Sequence, residues 1–151
     1  MTGPHNRVAV LHGVNFDVLD RRDPDLYGGI SLDQLEQRIG GWARELGLET
    51  TFFQTNSEGE FVEYLHRLPD LCDAVVINAG AWTHYSRAIA DALDVARLPA
   101  VEVHISDVES RDDWRRTSVF DGLVLEKISG RGPDGYREAL ARIARELDGD
   151  R

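Results

Sequence analysis

Five short runs rich in β-branched and aromatic residues divide the chain: 7–11 (RVAVL), 51–54 (TFFQ), 74–77 (AVVI), 101–103 (VEV) and 123–128 (LVLEKI). Runs of this length and composition predict strands. Between them lie segments with helical start signals. Ser31 followed by Gln34 opens a helix over 32–46, and Ser57 followed by Glu60 opens one over 58–67. Both are expected to be capping boxes, in which side chain and backbone satisfy each other's orphan donors. Gly47 marks a stop for the first, and 86–95 and 135–147 supply the other helices. Strand, helix, strand repeated along a chain needs right-handed crossovers, which produce a parallel sheet covered on both faces. The expected fold is a three-layer, doubly wound α/β domain with a five-stranded parallel sheet.

At 151 residues and 42% hydrophobic, the chain fits one domain over 1–151, with 1–6 as an N-terminal tail. A net charge of −10 argues against a general binder of nucleic acid or anionic membrane. For an anionic ligand, local arginines must overcome that field; the candidates are Arg21, Arg22, Arg111, Arg115 and Arg116, each of which could equally sit on a solvated face. The single cysteine, Cys72, cannot form an internal disulfide, which suits a reducing compartment. No signal-like apolar core and no apolar run of about 20 residues is present, so a soluble, cytoplasmic protein is expected.

Doubly wound sheets bind ligands outside the carboxyl ends of their strands. The unusual polar residues fall there: His12 and Asn15 after the first strand, Asn56 after the second, residues 78–84 after the third, and 104–106 after the fourth. Residues 12–30 form a long loop without periodicity of its own, and such loops are more often functional than structural. Within it, RRDPDLYGG places Tyr27 five residues after Arg22. A phenol facing a fixed guanidinium reaches the phenolate more easily, which suggests a base; the competing reading is a ring packed under a surface loop. Asn78 and His84 flank a turn of small residues that could hold hydroxyl groups, or they could merely cap it. Glu102 and His104 project to one face of a strand, so the carboxylate could orient the imidazole as a general acid. A histidine satisfied by a backbone carbonyl is the alternative.

Other chemistries fit poorly. GRGPDG over 130–135 spells GxGxxG, but only one helix follows it, so the glycines more plausibly shape the loop into that helix. The five histidines are scattered without metal-ligand spacing. No GxSxG elbow follows a strand. A phosphorelay receiver would want acids where His12 and Asn78 stand, and HGVNFD is not a flavin phosphate loop.

With HGVNFDVL, RRDPDLYG, FFQTNSEGE, INAGAWTHYS, EVHISD and GRGPDGYREAL in this order and spacing, the chain resembles type II 3-dehydroquinate dehydratases over about residues 8–140. The resemblance implies a flavodoxin-like fold and the removal of water from 3-dehydroquinate to give 3-dehydroshikimate, in the shikimate route to aromatic compounds, without metal or organic cofactor. It implies Tyr27 as the base, Arg22 favouring its phenolate, and residues 20–29 as an active-site lid. Asn15 would hold the enolate charge, and His104, oriented by Glu102, would protonate the departing hydroxyl. Asn78, His84 and Arg115 would bind ring hydroxyls, and the backbone amides of Ile105 and Ser106, with the Ser106 hydroxyl, would receive the carboxylate. It further implies a homododecamer built from trimers, with Asp91 reaching a neighbouring subunit's site.

The sequence also departs from the family pattern. His12 stands where Asn is common, Val14 where Pro is usual, and Asp20 where Gly is usual. Asp107 replaces a common Asn and Glu109 a common His, and Tyr85 and Thr117 also differ. Two added acids beside a pocket for a carboxylated substrate are expected to weaken electrostatic attraction. The alternative reading is a non-catalytic or substrate-shifted paralogue that binds a related hydroxylated cyclic keto acid.

Overall fold

Pairing in the computed structural model, which describes residues 4–149, is parallel throughout: β1 (Arg7–His12), β2 (Glu49–Gln54), β3 (Ala74–Asn78), β4 (Ala100–His104) and β5 (Glu126–Ser129) form one sheet in the order β2-β1-β3-β4-β5. Residues 1–3 of the expected N-terminal tail lie outside the described residues. The helices are a single turn α1 (Pro24–Tyr27), α2 (Leu32–Glu45), α3 (Glu58–Arg67), α4 (Arg87–Ala96) and α5 (Asp134–Gly149). The central strands β3 and β4 are buried along their whole length, as a sheet covered on both faces requires.

Alternation along the strands feeds two apolar layers. Val8 and Val10 pack with Leu35, Ile39, Leu140 and Ile143 on the α2/α5 face, whereas Ala9 and Leu11 pack with Phe61, Leu65, Ile89 and Leu93 on the α3/α4 face. Gly135 permits the close seating of α5: a Cβ there would meet Ile128 at 3.3 Å and Val103 at 3.4 Å. The glycine-rich string before α5 thus serves helix-to-sheet packing. Cys72 is buried, and burial pushes its thiol up to about 11, which disfavours the thiolate. No described helix is long and apolar enough to cross a membrane.

Three local expectations are corrected. Residues 123–125 do not belong to β5: Leu123 N donates to Phe120 O at 2.8 Å in a turn, and Leu123 and Val124 pack onto the α3/α4 layer. Their apolar character reflects burial rather than strand pairing. The box at Ser57 is half formed: Ser57 Oγ accepts from Glu60 N at 3.2 Å, but the Glu60 carboxylate accepts from Thr55 Oγ1 at 2.6 Å, and Ser57 N donates to Thr55 Oγ1 at 3.0 Å. The box at Ser31 is complete, with both bonds present. Finally, the loop over 12–30 is not devoid of structure. It contains a 3₁₀ helix, Phe16–Arg21, and α1, capped by Asp23 Oδ1 accepting from Asp25 N at 2.9 Å. Elements of one turn are too short to show a period.

Candidate active site

The carboxyl ends of β1, β3 and β4 lie side by side, with His12 paired to Asn78 in the sheet. Gly13 lets the two exits cross, since a Cβ there would sit 2.2 Å from the Ala79 carbonyl oxygen. Above this edge opens a pocket of about 80 Å³. The first loop contributes Asn15 and Phe16, and the segment through α1 contributes Arg22 and Tyr27; Asn78 and His84 come from the β3 exit, and His104, Ile105 and Ser106 from the β4 exit. Arg111 and Arg115 close the far side.

Tyr27 is 8% exposed, its ring packed against the α2/α5 layer. Its oxygen is not in that layer's chemistry. Tyr27 Oη accepts from Arg22 Nη2 at 2.7 Å and from Arg111 Nη1 at 2.7 Å. The Arg22 guanidinium also lies over the ring, 4.3 Å from its centroid. Two guanidinium groups thus converge on one phenolic oxygen. The ring is packed as a core side chain, while the oxygen meets the guanidinium expected from sequence and a second one besides. Arg111 Nη1 donates to Ser106 Oγ as well, at 3.1 Å.

Glu102 has no exposed surface, and each of its oxygens has a partner. Oε2 lies 2.5 Å from His104 Nε2, and Oε1 accepts from Ser118 Oγ at 2.8 Å. Ser118 Oγ in turn accepts from Phe120 N at 3.1 Å. A buried carboxylate so held fixes the orientation of the imidazole. His84 stacks on His104 with centroids 5.9 Å apart, and its Nδ1 donates to Thr117 O at 2.7 Å. Burial lowers His84 from the usual imidazole value, with the neighbouring positive charges of His104 and Arg115 adding to it and the Thr117 bond opposing. Burial also lowers Arg115, helped by Arg111, and Arg115 Nε keeps an ion-pair distance of 3.6 Å to Asp112.

Asn15 adopts a left-handed conformation, φ 74°, which Asn tolerates better than most residues. Its backbone N–H donates to Asn56 Oδ1 at 2.8 Å, and Asn56 Nδ2 donates to Asp17 Oδ2 at 3.0 Å. Ile105 and Ser106 are pinned from below, where their carbonyls accept from Gly132 N and Gly130 N, each at 3.1 Å. Because a peptide unit is planar and trans, the Ser106 N–H points opposite to the Ile105 carbonyl.

Of the residues singled out from sequence, Asn15, Arg22, Tyr27, Asn78, His84, His104, Ile105, Ser106 and Arg115 line the pocket, and Glu102 stands directly behind His104. Asp91 does not: it is exposed on α4. His12 and Asn56 also fall outside the lining, the first buried beneath the pocket and the second tethering the Asn15 loop. The two added acids are placed elsewhere. Asp107 Oδ1 caps Glu109 N at 3.1 Å, and the Glu109 carboxylate lies 3.7 Å from Lys127. Among the described residues the lining holds no carboxylate and three arginines. Arg111 was only one of several candidate arginines in the sequence; its contact with Tyr27 spans 84 positions and has no local signal.

A polar pocket with three arginines on the carboxyl edge of a doubly wound sheet, lined by Tyr27 and by a His104 backed by Glu102, is the arrangement of an α/β enzyme and suits a small anionic molecule. Comparison with known proteins narrows this. The chain belongs to the class II dehydroquinase family, whose sequence model matches residues 6–144. It is 46% identical over 143 residues to a 3-dehydroquinate dehydratase of Pelobacter propionicus, covering 94% of this chain and 96% of that protein. It is 48% identical to one of Syntrophotalea carbinolica, covering 89% and 91%. The crystal structure of a type II dehydroquinase from Propionibacterium acnes superposes with a TM-score of 0.87 at 41% identity, covering 93% of this chain and 97% of that one.

Proposed function

We propose that the protein removes water from 3-dehydroquinate to give 3-dehydroshikimate, without metal or organic cofactor. The observation that carries this reading is the pair of guanidinium bonds to Tyr27 Oη in the same pocket as the Glu102–His104 pair. Tyr27, as phenolate, takes a proton from the carbon next to the ketone. The electron pair of that C–H bond moves into the ring, and the oxygen of the resulting enolate is met by Asn15, directly or through an ordered water. Reformation of the ketone then expels the ring hydroxyl. His104 gives that hydroxyl a proton, so that water leaves, and Glu102 stabilises the imidazolium before transfer. Asn78, His84 and Arg115 hold ring hydroxyls, and the Ile105 and Ser106 amides with the Ser106 hydroxyl receive the carboxylate. Arg111 extends the set expected from sequence: it shares the charge of Tyr27 and fixes the Ser106 hydroxyl.

Residues 20–29 act as the lid, and the working particle is a homododecamer built from trimers in which Asp91 reaches a neighbouring site. Purified protein given 3-dehydroquinate is expected to show rising enone absorbance. Tyr27→Phe is expected to abolish that rise while calorimetry still detects binding. Well-folded wild-type protein that gives no turnover across a range of pH would overturn the reading and leave the non-catalytic or substrate-shifted paralogue in its place.

A further inference from the structure

The proposed chemistry uses neither His12 nor Tyr136, yet both are fully buried, polar and set beneath the pocket floor. Tyr136, in the first turn of α5, reaches the carboxyl ends of β1 and β3, where His12 and Asn78 are sheet partners. The polarity of this trio follows from what each group can donate. Asn78 Nδ2 can only donate, so Tyr136 Oη accepts from it at 3.1 Å. The single phenolic proton then goes to His12 Nε2, 2.8 Å away. With this polarity His12 accepts, as the neutral tautomer with its proton on Nδ1, a buried atom that has no other partner. Burial favours the same state, pushing His12 down to about 3 and Tyr136 upward.

The far end of the Asn78 amide is fixed as well, since Oδ1 accepts from Gly80 N at 3.2 Å. If the amide turned over, its NH₂ would face the Gly80 N–H, donor against donor. By drawing the Tyr136 proton away from Asn78, His12 keeps the phenolic oxygen an acceptor and removes the reason for the amide to turn. What Asn78 can offer a ligand is then one N–H and one lone pair in set directions. The His12 ring also packs on Phe16, centroids 4.7 Å apart, which is itself part of the pocket lining.

We propose that His12, acting through Tyr136, is a positioning residue that fixes the orientation in which Asn78 meets the ligand. This rests on the reading of Asn78 as a binder of a substrate hydroxyl. The test compares turnover of 3-dehydroquinate by His12→Phe, Tyr136→Phe and the double variant. Phenylalanine at 12 keeps a ring against Phe16 and removes only the acceptor. Each single variant is expected to raise KM about five- to tenfold, with kcat within about twofold. The double variant is expected to match Tyr136→Phe alone, because His12→Phe keeps the ring on Phe16 and alters only the route through Tyr136. His12→Gln, whose amide oxygen reaches the place of Nε2, is expected to recover most of the affinity.

Multiplicative losses in the double variant, or an unchanged KM in folded His12→Phe, would overturn the proposal. A readout independent of turnover is available in ¹⁵N spectra of histidine- and asparagine-labelled protein without ligand. There His12 should carry its proton on Nδ1 and not titrate between about pH 5 and 8, and the Asn78 side-chain amide signal should move in Tyr136→Phe. A protonated Nε2, or an Asn78 signal indifferent to Tyr136, would sink the positioning role. Failure of the wild type to turn over 3-dehydroquinate would instead sink only the functional reading.

Discussion

A carboxylate with no exposed surface is tolerable only when both oxygens are satisfied, and Glu102 meets that condition through His104 and Ser118. In the proposed reaction this makes the charge of Glu102 matter more than its shape. Glu102→Gln keeps the size and one hydrogen bond to His104 but removes the charge that stabilises an imidazolium, so kcat is expected to fall about 10- to 100-fold with a smaller change in KM. His104→Ala removes the acid itself and is expected to lower kcat by about 10²–10⁴ while calorimetric affinity for a substrate analogue changes little. Equal losses in rate and binding would remove the acid role. The Glu102 and His104 pairing was legible in the sequence because two residues two apart on a strand share a face. The second guanidinium on Tyr27 was not, because nothing in the polar segment around Arg111 says which distant side chain it meets. The burial of His12 was illegible for a related reason: a polar residue at a strand end can face the ligand or the core, and only the approach of Tyr136 from α5 decides.

At the scale of elements, the strands were legible where burial and pairing coincide. β3 and β4 are buried on both faces, so their β-branched composition and their sheet role agree. The two signals part at residues 123–125, where an apolar run covers the core as a turn. They part again over 12–30, where turns too short for periodicity are held by side chains from elsewhere. Asn56 is the chief such group: it accepts from Asn15 N and from Gln54 Nε2 (3.2 Å) and donates to Asp17, and so ties the β2 exit to the loop that carries Asn15. An untethered Asn15 would sample other backbone conformations, since its φ of 74° lies outside the common basins. Asn56→Ala is expected to lower kcat/KM about five- to tenfold, as the loss of about 1 kcal/mol of orienting hydrogen bonds would. Because Asn56 is exposed, the melting temperature should move by only a few degrees. A large fall in melting temperature with intact kinetics would show that the tether serves stability alone.

For the whole molecule, the buried polar layer under the pocket sets how the fold responds to acid. His12 has a folded value of about 3, well below the roughly 6.5 of an unfolded histidine. Between those values the unfolded chain binds a proton that the folded chain refuses. The contribution of neutral His12 is thus complete above about pH 6.5 and is lost progressively as pH falls toward 3, at no more than about 1.4 kcal/mol per unit. His84, lowered mainly by burial but only partly enclosed, acts in the same direction over a narrower window. Asp73 belongs to a more acidic range: burial pushes it up, but Arg7, donating at 2.8 Å from its backbone and 3.1 Å from its guanidinium, holds it below the usual carboxylate value. Between about pH 6.5 and 4.5 the imidazoles therefore dominate, opposed by Glu36, which burial and then Asp33 raise above the usual carboxylate value. Urea midpoints measured across this range are expected to fall steeply in the wild type and about half as steeply or less in His12→Asn, which has nothing to protonate there. The variant should be the less stable of the two at neutral pH and should lose that disadvantage as the solution is acidified. Parallel slopes would mean that His12 is already charged in the folded protein, which the proposed acceptance of the Tyr136 proton does not allow.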